Sequence, residues 1–360
     1  MKQVIAAVAA LRNACDNAGQ EELNMRAIGY FKNGPITDPK AFEEVEVPEP
    51  KAEGHDIVVE VKAVSVNPVD YKVRRSRAPT GSAPVVLGYD AAGIVRGVGP
   101  QAQSLFKVGD EVFYAGAINR NGSNAERQAV DARIVGRKPK SLDWSEAAAL
   151  PLTAITAWEM LFDRLWVARA VPGAAKAVLI IGGAGGVGSI AIQLAHKLTD
   201  LTVIATASRP ETVAWCKEMG AHHVIDHSQP LAPQIASLGI GAPGLVFLTT
   251  NAGPYGQDIA TLIAPQGRLG LIADSMDMAP FKTKSISIHW EFMFTRPVEQ
   301  TADIVEQGKL LNEVARLVDA GTLRTTLTKR MGKLTAANLI AAHKLLEEGK
   351  MIGKLALEGM

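Results

Sequence analysis

Apolar and polar positions follow two different periods along this chain, and the change of period divides it. From Met25 to about Leu150, short apolar runs are punctuated by glycine and proline. The run "DIVVEVKAVSV" (residues 56–66) is rich in β-branched residues, and "KVGDEVFYA" (residues 107–115) sets a Gly-Asp turn ahead of another strand. Several short strands of this kind predict a barrel-like β domain. Near "SEAAALPLTAITAWEMLF" the texture shifts to alanine, leucine and aromatics at helical spacing, and from Ala177 strand and helix patterns alternate. Strands are predicted over residues 178–181, 202–207, 222–225, 245–250 and 268–273, with helices over 210–219 and near 256–263. Beyond them lie one long helical pattern, "VEQTADIVEQGKLLNEVARLVDAG", a last helix, "AANLIAAHKLLEEG", and the strand-like "GKLALEG". The prediction is an α/β chain in which a doubly wound parallel sheet interrupts a β domain that the C-terminus completes.

Composition narrows the function. The 360 residues are enough for two domains with a cleft between them. A formal net charge of +1 and the lack of any basic block give no footprint for nucleic acid or an anionic membrane, so a small-molecule partner is expected. The two cysteines, Cys15 and Cys216, assemble neither a disulfide framework nor a cysteine-rich metal site, which fits a reducing cytoplasm. No apolar run is long enough to span a bilayer. Lys2 and the apolar run after it imitate a signal peptide, but the run is short and lacks a convincing cleavage site. Residues 1–24 therefore read as an N-terminal extension ahead of "MRAIGYF".

The chemistry begins at "AVLIIGGAGGVGSIAIQLAHKL" (residues 177–198), where Gly183, Gly185 and Gly188 stand at G-x-G-x-x-G spacing between a buried strand and an amphipathic helix. Such glycines allow a tight turn, close approach of a pyrophosphate and close packing of helix on strand, and the helix N-terminus offers unpaired N–H groups to the anion. Gly183, Ala184, Gly185, Gly186, Val187 and Gly188 are thus candidate cofactor contacts. A mononucleotide P-loop would need lysine and serine or threonine after its last glycine, and this chain has Ser189 and Ile190. Roughly 20 residues beyond the turn, an acidic residue would bind a free ribose hydroxyl and a basic one a 2′-phosphate. Ser208 and Arg209 stand there, which favours NADPH over NADH. Thr250 and Asn251 in "FLTTNAG", and Leu271, end further strands of the sheet, where open α/β folds bind ligands.

With "NPVDYKVR", "VLGYDAAGIV", "PLTAITAWEML" and "GGAGGVGSIAIQLA" in that order, the sequence resembles the medium-chain dehydrogenase/reductase superfamily from about Met25 to the C-terminus. Within it the chain is most similar to the quinone oxidoreductase branch, in the group called zinc-type alcohol dehydrogenase-like proteins. The resemblance implies a GroES-like catalytic domain over residues 25–151 and 296–360, a Rossmann NADP-binding domain over residues 152–295, and a homodimer joined through the Rossmann sheets. It also implies that Thr153 and Thr156 approach the nicotinamide, that Lys354 of a Gly-Lys pair lies near the cofactor, and that His227 lies beside the adenosine phosphate. Asn67, Tyr71 and Tyr89 fall in the segments placed at the cleft and become the candidate catalytic residues.

Zinc alcohol dehydrogenases carry a cysteine and a histidine where this chain has Asn67 and Tyr89, and their structural-zinc cysteines are missing, so no metal is expected. His222 and His223 would point to opposite faces of a strand, so they do not converge with His227 on one ion. Without a Lewis acid to stabilise an alkoxide, an acceptor that is already electrophilic is the better substrate. The expectation is a zinc-independent oxidoreductase passing hydride from NADPH to a quinone or an α,β-unsaturated carbonyl, with a dipolar donor for the developing anion. Quinone oxidoreductases place a tyrosine two residues after the aspartate of "NPVD"; here Tyr71 comes one residue after Asp70. A zinc-dependent alcohol dehydrogenase and a non-catalytic NADPH-binding protein are the alternatives. Trp290, Phe292 and Phe294 either wall an apolar pocket or belong to the core.

Overall fold

In the computed structural model, which describes residues 23–273 and 276–360, alternation of apolar and polar positions builds the first part of the chain into sheets. Its strands are β1 (Asn24–Tyr30), β2 (Glu43–Pro48), β3 (Asp56–Ser65), β4 (Val85–Val86), β5 (Ala91–Val98), β6 (Glu111–Tyr114), β7 (Arg127–Asp131) and β8 (Gly136–Arg137). β1 lies between β2 and β4 in a small sheet. β3 pairs antiparallel with both β5 and β7, and β5 passes on to β6 and β8. A helix, Pro68–Ser76, follows β3 directly, with proline in its first turn. Most of the N-terminal extension expected over residues 1–24, and Cys15 with it, lies outside the described residues.

The alternating part of the chain forms a six-stranded parallel sheet from β9 (Ala175–Ile181), β10 (Thr202–Thr206), β11 (His223–Ile225), β12 (Pro243–Leu248), β13 (Arg268–Leu271) and β14 (Ser287–Trp290), in the order β11-β10-β9-β12-β13-β14. The order reverses between β9 and β12, so the carboxyl ends of those strands frame the crevice where such sheets take ligands. Period-two alternation divides β9 between two cores. Val178 and Ile180 pack with the Gly186–Leu198 helix and the β domain, whereas Leu179 and Ile181 pack with residues of the Leu231–Ser237 and Gly256–Leu262 helices. Among the described residues, no helix is long and apolar enough to cross a membrane.

The C-terminal strands β15 (Leu327–Lys333) and β16 (Lys354–Glu358) return to the first sheet, where Ala356 pairs with Ser65 of β3. The single long helix expected from residues 298–321 is broken. A short helix, Thr295–Glu299, ends at Gln300, which takes a left-handed conformation with φ 49°, and the helix resumes as Val305–Asp319. The break folds Asp303 back onto Arg296, whose Nε donates to it at 3.0 Å, a tertiary demand that periodicity does not record. The Pro151–Trp158 helix runs on as a π-helix through Glu159–Arg164.

Candidate active site

The glycine turn joins β9 to the Gly186–Leu198 helix, and each glycine answers a separate steric demand. A Cβ on Gly188 would lie 2.3 Å from the Gly182 carbonyl oxygen, and one on Gly183 would lie 2.8 Å from Ala205 Cβ. Both contacts are closer than side chains tolerate, so helix and strands are locked at glycine distance. Gly185 differs: the nearest atom to a Cβ there is Gly182 O at 3.6 Å, which leaves open space over the helix N-terminus. A cradle that only a missing side chain keeps clear, beside unpaired helical N–H groups, fits a dinucleotide pyrophosphate. Behind the turn, Gly182 N donates to Thr206 Oγ1 at 3.0 Å, and His227 Nδ1 lies 3.2 Å from the same oxygen.

The other wall of the crevice is a buried polar cluster assembled from four distant segments. Lys354, the first residue of β16, is 4% exposed. Its ammonium donates to Asn67 Oδ1 at 2.6 Å, Asp90 Oδ2 at 2.9 Å and the Val66 carbonyl at 3.1 Å. Asn67 Nδ2 donates to Asp90 Oδ2 at 2.8 Å, and Leu152 N at the start of its helix donates to Asp90 Oδ1 at 2.7 Å. Burial raises the Asp90 carboxyl, and the neighbouring Lys354 charge opposes the rise. Asp70 Oδ2 accepts from Asn67 N at 2.7 Å, capping the Pro68–Ser76 helix. Burial pushes Asp70 up to about 7, and its Oδ1 has no partner.

The two walls touch. A Cβ on Gly186 would lie 2.9 Å from Lys354 Cδ and 3.1 Å from Thr153 Cγ2. Gly353 N donates to the Ala184 carbonyl at 2.8 Å, so the chain entering β16 is tied to the glycine turn one residue before Lys354.

The expected residues do not all converge. Asn67 and Lys354 lie in the cluster; Thr153 presents its methyl group to Gly186 while its hydroxyl donates to Leu150 O at 3.1 Å, and the Thr156 hydroxyl donates to Leu152 O at 2.8 Å. Tyr89 is buried with its hydroxyl 3.3 Å from Arg77 and 3.5 Å from the Ile118 carbonyl. The half-buried Tyr71 ring lies against the Arg75 guanidinium at 5.5 Å. Val187 is half-buried against the core; Thr250 and Asn251 are exposed beyond β12, where Asn251 Oδ1 accepts from Gly253 N, and Leu271 is buried at the end of β13. Ser208 is exposed, and Arg209 donates to the Lys350 carbonyl at 2.9 Å with its side chain 39% exposed. Phe294 is buried edge-on against Tyr89, whereas Trp290 and Phe292 are exposed.

Two residues of the site carry no signal in the sequence. Asp90 stands in "GYD" as an unremarkable loop aspartate until Lys354 is placed against it. Thr206 reads as one more β-branched strand residue.

Two family profiles match the chain: an alcohol dehydrogenase GroES-like domain over residues 53–140 and a zinc-binding dehydrogenase over residues 186–306. A zinc-type alcohol dehydrogenase-like protein of Staphylococcus aureus (strain MSSA476) is 42% identical over 337 residues, 92% of this chain and 99% of the relative. The chain belongs to the medium-chain dehydrogenase/reductase superfamily. It is accordingly an oxidoreductase of a family that binds a nicotinamide cofactor. The crystal structure of a putative zinc-dependent alcohol dehydrogenase protein from Rhizobium etli CFN 42 superposes with a TM-score of 0.92 at 62% identity, covering 94% of this chain and 99% of that one. A 2-methylene-furan-3-one reductase of Solanum lycopersicum is 28% identical over 343 residues, 92% of this chain and 79% of the relative.

The superfamily includes zinc enzymes, so the donor set of this member needs testing against the metal. Zinc takes thiolate, imidazole or carboxylate at close range. Here Asn67 offers an amide, burial raises the Tyr89 phenol far above neutrality, and the Lys354 ammonium stands among the remaining oxygens. Among the described residues no three His, Cys, Asp or Glu side chains come together. These side chains do not fit a zinc ion.

Proposed function

We propose that this superfamily member is a zinc-independent, NADPH-dependent reductase that passes hydride to a quinone or an α,β-unsaturated carbonyl in a reducing cytoplasm. The observation that carries the reading is the buried Lys354–Asn67–Asp90 cluster packed against Gly186, which sets a cation and an amide beside the cofactor turn with no metal donor set. The name of the Solanum lycopersicum relative, a reductase of an exocyclic enone, supports the same acceptor class.

A bound nicotinamide supplies the hydride. The glycine turn and the N-terminus of the Gly186–Leu198 helix hold the pyrophosphate, and His227, beside Thr206, lies at the adenosine side. Arg209 and Ser208 hold the 2′-phosphate, since the guanidinium keeps donors beyond those facing Lys350 O and the exposed Glu211 carboxylate. Asn67 is fixed in one amide orientation, because its Oδ1 accepts from Lys354 while its Nδ2 donates to Asp90. Its second Nδ2 hydrogen is left to donate to the oxygen on which negative charge develops. The Lys354 charge, held in a water-poor setting, lowers the energy of that anion. Tyr71, half-buried on the same helix, is the second candidate donor.

Steady oxidation of NADPH with 1,4-benzoquinone and with a simple enone tests the proposal. Turnover with metal-free enzyme is expected. One zinc per chain after purification without chelator, or NADPH binding without reduction of any acceptor, would overturn it. We further propose a homodimer joined through the open edge of β14, whose Trp290 is 49% exposed. Light scattering of the wild type and Trp290→Glu tests it, with loss of a dimer expected in the variant.

A further inference from the structure

The parallel sheet has a second concave site at the end away from the glycine turn. A cavity of about 780 Å³ opens below the amino ends of β9, β12 and β13, where the segment after the π-helix passes under the sheet. That volume lies within the range of small-molecule pockets, about 300–1,000 Å³. Val167, Val171, Leu201 and Leu245 give it an apolar lining.

Its charges are unbalanced. Arg169, Lys176, Lys197 and Arg268 line it against a single acid, Asp200, which is taken up by an ion pair with Lys176. Among the described residues Arg169, Lys197 and Arg268 have no carboxylate partner. Arg268 is 5% exposed, yet its guanidinium meets only the carbonyls of Trp166 and Arg169. Burial and the Arg169 charge pull that guanidinium below its usual range. A buried cation without a counter-charge is costly, and an anion in the cavity offsets the cost.

We infer that this cavity binds a small amphiphilic carboxylate, its apolar body against Val171, Leu201 and Leu245 and its carboxylate among Arg268, Arg169 and Lys197. The apolar lining argues against inorganic phosphate as the occupant, and the unpaired cations argue against a neutral lipid. The site is separate from the redox crevice, because β9 and β12 carry the cavity at one end and the glycine turn at the other. It stands or falls independently of the acceptor assigned above.

Calorimetric titration of the full chain with decanoate, with and without saturating NADPH, tests the inference. Saturable binding is expected in both conditions, with a negative heat-capacity change from apolar burial. Arg169→Glu combined with Lys197→Glu, both exposed positions, should weaken decanoate about tenfold or more. Ala168→Trp should fill the cavity and abolish binding while NADPH still binds. Absence of saturable binding, equal affinity for 1-decanol, displacement by NADPH, or unchanged affinity in the charge-reversed variant would each overturn it.

Discussion

Lys354 Nζ lies 2.9 Å from Asp90 Oδ2, although 264 residues separate them. The contact closes the C-terminal strand onto the loop ahead of β5, and Gly353 is bonded to the glycine turn alongside it. One buried ion pair therefore anchors the strand whose preceding residue, Gly353, ties this wall of the crevice to the glycine turn. Removing one partner leaves the other charge buried and alone, which costs about 3–5 kcal/mol. Lys354→Met should lower the melting temperature and kcat together. The double variant Lys354→Met with Asp90→Asn should regain part of the stability without regaining kcat. If the single variant melts with the wild type, the pair does not anchor the C-terminal strand.

The glycines of the turn should separate folding from binding. Gly188→Ala places a methyl group 2.3 Å from a backbone oxygen that cannot swing away, so stability should fall by about 1–3 kcal/mol or more. Gly185→Ala meets nothing closer than 3.6 Å at φ −74°, so it should melt like the wild type yet lose NADPH affinity. Thermal denaturation paired with NADPH fluorescence titration reads both. Equal affinity in Gly185→Ala and wild type would remove the pyrophosphate from this turn.

Arg209 is the candidate discriminator between the two nicotinamide cofactors. Arg209→Ala should weaken NADPH about tenfold or more and leave NADH nearly unchanged, because the 2′-phosphate is the one cofactor group it contacts, and its bonds to Lys350 O and Glu211 are lost equally for both cofactors. Dissociation constants for both cofactors decide it. A matching loss for NADH would make Arg209 a structural contact of Lys350 instead.

Glu291 gives stability a pH dependence of definite sign. Its side chain is fully buried near Glu159, and Arg164 Nε lies 3.0 Å from Oε2. Burial first, and the Glu159 charge next, push the Glu291 carboxyl well above the usual range, with Arg164 and Arg296 opposing. The native chain thus keeps a proton that the unfolded chain has released. This contribution is complete below the unfolded carboxylate range and is lost as pH rises through the raised native value. Urea midpoints should fall more for the wild type than for Glu291→Gln between about pH 5 and about pH 8. An identical fall in both proteins would show that Glu291 is ionised in the native state.

The sequence by itself determined the elements whose causes are local. Gly183, Gly185 and Gly188 between a β-branched run and an apolar-striped helix specify a dinucleotide turn, and the observed bounds, Ala175–Ile181 and Gly186–Leu198, lie close to the pattern. Alternating strands and helices specify the parallel sheet, because each period requires one face to be buried. Only the tertiary structure decided what depends on segments far apart. It brought Lys354 to Asp90, spent the Tyr89 hydroxyl on Arg77, and broke the expected 298–321 helix at Gln300 so that Arg296 could gather Asp303, Asp163 and Glu159. The physical reason is that a polar side chain is committed by the partner that packing sets beside it in space, whether 12 residues away, as Arg77 is from Tyr89, or 264, as Asp90 is from Lys354, and residue spacing records neither.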